Sequence, residues 1–201
     1  MGTFSKIHRF HEAGQKPNVI NTETFGEPAK SLYTKRELFT VHKHIDVFDD
    51  DGNILYRAGS KFPSILDKTD IWDAQERHVA HMERKLFSFH QRHFVNMEDG
   101  SYFELSNELF HLIEDVIDID GPGWRITGNI LALNFVIYDR SEKIVALVSQ
   151  KMVSIHDKYC IDIYQPEHEK TIVAIVITLQ HMIWDRQSAS FSSSSSSSSG
   201  S

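Results

Sequence analysis

Histidine is the residue type whose abundance first suggests chemistry, with 12 copies in 201 residues. His42 and His44 would place both imidazoles on one face of a strand, with Asp46 next along it, and a divalent metal accepts a His-His-Asp set. Successive residues on one strand face are about 7 Å apart at Cα, so a further ligand would have to come from another strand. The expectation is a solvated outer face and no metal site. His78 and His81 have opposite strand parity, and His90 and His93 flank a turn, so neither spacing makes a ligand pair. The acidic run Asp49 to Gly52 has Val47 where a calcium loop would place a ligand, and it reads as a hairpin turn. Lys85 with Ser88, and Lys151 with Ser154, form a repeated pair that suits either paired phosphate contacts or one turn built twice. No nucleophile motif, glycine-rich phosphate loop or paired-carboxylate spacing is present. No catalytic residue, metal or cofactor is therefore assigned.

The elements that would position these residues centre on Thr171 to Trp184, TIVAIVITLQHMIW, the most apolar run in the chain and one with no polar face. A segment apolar all round is buried all round. Its β-branched residues Ile172, Val173, Ile175, Val176 and Ile177 suit a buried strand, whereas its length and the preceding Pro166, Glu167 and Glu169 suit a helix. It is shorter than the roughly 20 residues of a membrane span, and no transmembrane segment is expected. With 40% hydrophobic and 24% charged residues the chain has the composition of one globular core. A formal charge of -7 argues against nucleic acid as a partner, because a phosphate-tracking surface needs a basic footprint. The single cysteine, Cys160, excludes an intramolecular disulfide and reads as a buried thiol. MGTFSKIHRF has no signal-peptide core, and a cytoplasmic location is the expectation.

Residues 1–31 lack periodicity and read as a flexible arm, the ordered domain spans 32–187, and the Ser/Gly-rich 188–201 reads as a disordered tail. Between these ends the punctuation is that of short strands. Phe39, Val41, Ile45 and Val47 alternate with polar residues before the acidic turn, and turn signals recur at Asp99-Gly100 and Asp120-Gly121. The run Asn107 to Glu114 also suits a short helix. An internal repeat is the strongest signal. At an offset of 66, Ile71 falls on Ile137, Asp73 on Asp139, Glu76 on Glu142, Val79 on Val145, Ala80 on Ala146, Lys85 on Lys151, Ser88 on Ser154 and His90 on His156. Upstream, at an offset of 69, Asp51-Gly52 and Gly59 fall on Asp120-Gly121 and Gly128. Two such halves bury their apolar faces and lose their sheet edges by closing on each other around one apolar element.

The strand, Asp turn, strand, Lys, Ser pattern of Ile71–Ser88 and Ile137–Ser154, followed by Tyr159–Ile163 and the closing run Val173–Ile177, resembles the LURP-one-related family of the tubby-like superfamily. The resemblance covers about Leu32 to Arg186. It implies a mainly β fold, a closed antiparallel barrel of about twelve strands built from two repeats around a central hydrophobic C-terminal helix, here at about 167–186. It implies little chemistry: tubby domains bind phosphoinositides, scramblases act on lipids, and the branch resembled has no established enzyme activity. The expected function is a noncatalytic binding module for anionic lipid head groups or a protein partner. Its weak lipid candidates are Arg84, Lys85, Arg92, Lys151 and Lys158. The alternative is a metal-dependent enzyme or metal-binding protein using outward-facing histidines.

Overall fold

The computed structural model describes residues 25–35, 44–59, 68–85, 92–106, 116–151 and 158–194. Twelve strands form one antiparallel sheet: β1 (Lys30–Lys35), β2 (Ile45–Phe48), β3 (Ile54–Gly59), β4 (Lys68–Asp73), β5 (His78–Lys85), β6 (Arg92–Met97), β7 (Tyr102–Ser106), β8 (Val116–Ile119), β9 (Trp124–Asn129), β10 (Asn134–Tyr138), β11 (Ile144–Lys151) and β12 (Lys158–Ile163). Its order, β7-β6-β5-β4-β3-β2-β1-β12-β11-β10-β9-β8, is a meander closed by the pairing of β1 with β12. The ends of the sheet, β7 and β8, meet at an isolated bridge between Glu104 and Asp120. Gly121 permits that close approach, because a Cβ there would lie 2.1 Å from the Tyr102 carbonyl oxygen. The seam thus depends on a residue without a side chain.

A 3₁₀ turn, Pro166–His168, leads into α1, Glu169–Ser194. Every residue from Ile172 to Leu179 is buried, as are His181, Met182 and Ile183, and these side chains share one core with the inner faces of the strands. This settles the helix-or-strand alternative for Thr171–Trp184. A lone strand inside a barrel would leave its backbone groups unpaired, whereas a helix satisfies its own, so tertiary context overrides β propensity. The polar Thr178 is accommodated by donating its hydroxyl to the Ala174 carbonyl at 2.7 Å. The helix entry is tied down by Glu169, which accepts from Lys30 Nζ at 2.8 Å and from the Tyr56 hydroxyl at 2.8 Å.

The duplication read from the sequence is a structural one. β5 and β11, and β6 and β12, lie 66 residues apart at both ends. The β-bulge between Ile71 and Trp72 recurs between Ile137 and Tyr138. The Asp turn recurs with it: Asp73 Oδ1 accepts the backbone N–H of Gln75 and Arg77, and Asp139 Oδ1 accepts those of Ser141 and Lys143. Glu76 and Glu142 each occupy a left-handed conformation, with φ of 59° and 60°. The Asp49–Gly52 run forms a hairpin turn of the same kind, with Gly52 in the left-handed position.

Two boundaries differ from the sequence reading. Residues before Leu32 are already part of the fold: Phe25 packs on the outer face of β10 and β11 with Tyr138 and Tyr164, and the Ala29 N–H donates to the Ile163 carbonyl at 2.8 Å. That cover explains why β10 is buried on both faces. At the other end the helix continues through Ser188–Ser194, residues assigned by composition to a tail; serine is a modest helix former, and nothing there breaks an established helix. Residues 1–24, the proposed helix at 107–114 and residues 195–201 lie outside the described residues.

Candidate functional site

An up-and-down meander sends alternate connections to opposite ends of a barrel, so its two rims are chemically independent. At one rim, the turn end, the chain enters the tight β2–β3, β4–β5, β6–β7, β8–β9 and β10–β11 turns and the start of α1. These turns are acidic because their geometry uses carboxylates as acceptors for backbone N–H groups. Burial works to raise the Asp73 and Asp139 carboxyls, but the N–H donors outweigh it and hold both below the ordinary carboxylate range; Arg77 adds a side-chain hydrogen bond and its charge at Asp73, while at Asp139 Gln165 adds a side-chain hydrogen bond and Lys143 its charge.

At the other rim, the loop end, the residues that begin or end the strands include Lys35, Lys68, Lys85, Arg92, Lys151 and Lys158, and none of the described strand termini there is acidic. The strand register groups them. Lys85 stands directly opposite Arg92. Lys151 stands opposite Lys158, which stands opposite Lys35 of β1, making a row of three lysine positions across adjacent strands. Directly opposed like charges destabilise a sheet by some tenths of a kcal/mol per pair.

Four of the five residues singled out from the sequence therefore assemble as two repeat-related cross-strand pairs, Lys85 with Arg92 and Lys151 with Lys158. Arg84 does not join them. It has the strand parity of buried Met82, stands opposite buried His93 and is itself partly buried, so it faces the inner side of the barrel wall. Arg92 is exposed and pairs with Glu104 at 2.9 Å. Lys35 and Lys68 were missed, because neither belongs to the repeat and only closure of the barrel brings β1 beside β12. Ser88 and Ser154 lie outside the described residues.

The histidines correct one sequence inference. His78 and His81 share a face despite their opposite parity, because the bulge in β5 resets the alternation at buried Val79 and Ala80. Both reach one carboxylate oxygen, Asp70 Oδ1, with His81 Nδ1 at 2.7 Å and His78 Nε2 at 3.1 Å; His78 Nδ1 lies 3.2 Å from Glu98. Burial opposes ionisation of Asp70, but these imidazoles outweigh it and hold its carboxyl below the usual range. His44 pairs with Asp46 at 2.9 Å, His42 and His90 lie outside the described residues, and His93 is buried in β6. Among the described residues, no three His, Cys, Asp or Glu side chains are arranged to hold a metal ion. Cys160 is buried and its thiol donates to Asp162. No helix among the described residues is long and apolar enough to cross a membrane.

An uncharacterized protein of Bacillus subtilis, YxjI, is 23% identical over 159 residues, covering 79% of this chain and 97% of that protein. A crystal structure of an Arabidopsis thaliana protein superposes with a TM-score of 0.45 at 17% identity, covering 79% of this chain and 96% of the other. The profile of the LURP-one-related family matches residues 30–180, which takes in every strand of the barrel and most of the buried length of α1. The chain belongs to the LURP-one-related family.

Proposed function

We propose that the domain is a noncatalytic binding module whose loop end docks on anionic lipid head groups. The observation that carries the reading is the segregation of charge: a chain of net charge -7 gathers basic residues at strand termini of one rim and places none of its acidic residues at those described termini. The core is filled by α1, so the reading needs no internal cavity. Each exposed basic residue near an anionic membrane contributes about 1 kcal/mol, and the acidic remainder of the molecule opposes approach at long range. Binding is therefore weak and falls steeply with salt.

The test is flotation with phosphatidylcholine vesicles, with and without phosphatidylserine and a phosphoinositide, at low and physiological ionic strength. The native protein floats with the anionic vesicles at low salt, and Lys151→Glu/Lys158→Glu abolishes this. This pair replaces any variant at Arg84, whose inward position would confuse loss of binding with loss of fold. Absence of binding at low salt removes the lipid reading and leaves a protein partner. Binding insensitive to both salt and charge reversal means that another surface is responsible.

A further inference from the structure

We infer that the groove between β3 and β4 at the turn end takes an arginine side chain of a protein partner, because the second half of the barrel fills the corresponding place with its own Arg140. The groove has a volume of about 470 Å³ and is lined by Ile54, Arg57, Trp72, Asp73, Ala74 and Glu76. The turns that frame it, β2–β3 and β4–β5, are described throughout. It lies at the opposite end of the barrel from the rim assigned to lipid, so the inference stands apart from that reading.

The duplication supplies the comparison. At the offset of 66, Trp72 falls on Tyr138, Asp73 on Asp139, Ala74 on Arg140 and Glu76 on Glu142. Asp46, Arg57 and Trp72 stand opposite one another across β2, β3 and β4, as Asp118, Arg125 and Tyr138 do across β8, β9 and β10. Both halves thus build one row of acid, arginine and aromatic ring. They part at Ala74. Arg140 reaches back over Gly123 at the entry to β9, where a Cβ would lie 2.6 Å from its Cζ and closer still to its Nε. Gly123 leaves room for that guanidinium, whereas Ala74 is too short to reach across and the first half keeps a groove. The charge of Arg57 does not bar a second guanidinium: Asp46 lies 3.7 Å from its Nε, as Asp118 lies 2.9 Å from Arg125 Nε, and Arg140 is accommodated with that equivalent pair in place. Trp72 offers an indole, a better cation–π partner than the phenol of Tyr138. Asp73 is already held by Arg77 at 2.8 Å. That leaves Glu76, exposed and with no side-chain partner among the described residues, as the carboxylate for the incoming cation. The acidic turns draw a cation to this end.

The experiment titrates isotope-labelled protein with a pentapeptide, blocked at both ends, that carries a central arginine among glycines, and follows the indole Nε1–H resonance of Trp72, identified by its loss in Trp72→Phe. A lysine-centred peptide is the comparison. The arginine peptide shifts the Trp72 resonance saturably with a dissociation constant on the order of 1 mM, the scale of a single side-chain contact. The lysine peptide, a point charge without a planar face to stack, binds about fivefold more weakly. Ala74→Arg closes the groove in cis as Arg140 does in the second half, and abolishes the response at an unchanged melting temperature. Glu76→Gln, at an exposed position, weakens binding about threefold and decides the matter if Ala74→Arg does not fold. A native protein whose Trp72 resonance shows no saturable shift overturns the inference, and so does a response that survives intact in folded Ala74→Arg or in Glu76→Gln. Equal binding of the two peptides reduces the effect to general attraction by the acidic end and overturns it as well.

Discussion

Replacing Ile175 by alanine tests the architecture at the point on which it most depends. Ile175 is fully buried in α1 and belongs to the one core that the helix shares with the strands. The substitution removes three carbon atoms, at about 0.8 kcal/mol each, or about 2.4 kcal/mol of transfer free energy. A closed barrel cannot collapse freely onto the gap, and a residual cavity of roughly 50 Å³ at about 24 cal/mol per Å³ adds about 1.2 kcal/mol. The expected loss is about 3.5 kcal/mol out of a total of about 5 to 15, large but survivable. Urea unfolding read by tryptophan emission from Trp72, Trp124 and Trp184 measures it. With a slope near 2.5 kcal/mol/M the midpoint falls by about 1.4 M at unchanged slope. Leu131→Ala, at a side chain 43% exposed, is the control and shifts stability by no more than about 0.5 kcal/mol. An Ile175→Ala protein as stable as the Leu131→Ala protein would refute the central-helix packing. Ile175→Asp, which buries an isolated charge, should give no cooperative transition at all.

The repeated turns carry two further predictions. Glu142→Gly and Glu76→Gly should each stabilise by about 0.5 to 1 kcal/mol, because both positions are left-handed and the equivalent place in the β2–β3 turn is already Gly52; a destabilisation in either would show that the glutamate side chain outweighs its backbone cost. Asp73 and Asp139 have folded-state carboxyls below the ordinary value of 3.8, so their contribution is present above that pH and is lost as pH falls through the lower folded values. Melting temperature should therefore hold between pH 5 and 7 as far as these groups are concerned and decline below about pH 4. Asp73→Asn/Asp139→Asn, which keeps an acceptor oxygen but cannot titrate, should flatten that decline; an unaltered acid limb would place the titrating groups elsewhere.

What the sequence by itself determined was periodic or repeated. The apolar run of α1, the Asp turns and the offset of 66 residues are local patterns that survive without knowledge of contacts, and they carried two halves closing around one apolar element, while the twelve-strand barrel and the helical state of that element came from the family resemblance. The repeat singled out Lys85, Arg92, Lys151 and Lys158 one by one, and the strand register then set Lys85 opposite Arg92 and Lys151 opposite Lys158. What only the tertiary structure decided depends on counts that one residue changes or on closure across the chain. A single bulge moved His78 and His81 onto one face. Strand parity took Arg84 away from Lys85, although the two are adjacent in sequence. Lys35 joined the second cluster because β1 closes the barrel against β12, a pairing separated by more than a hundred residues that no local pattern encodes.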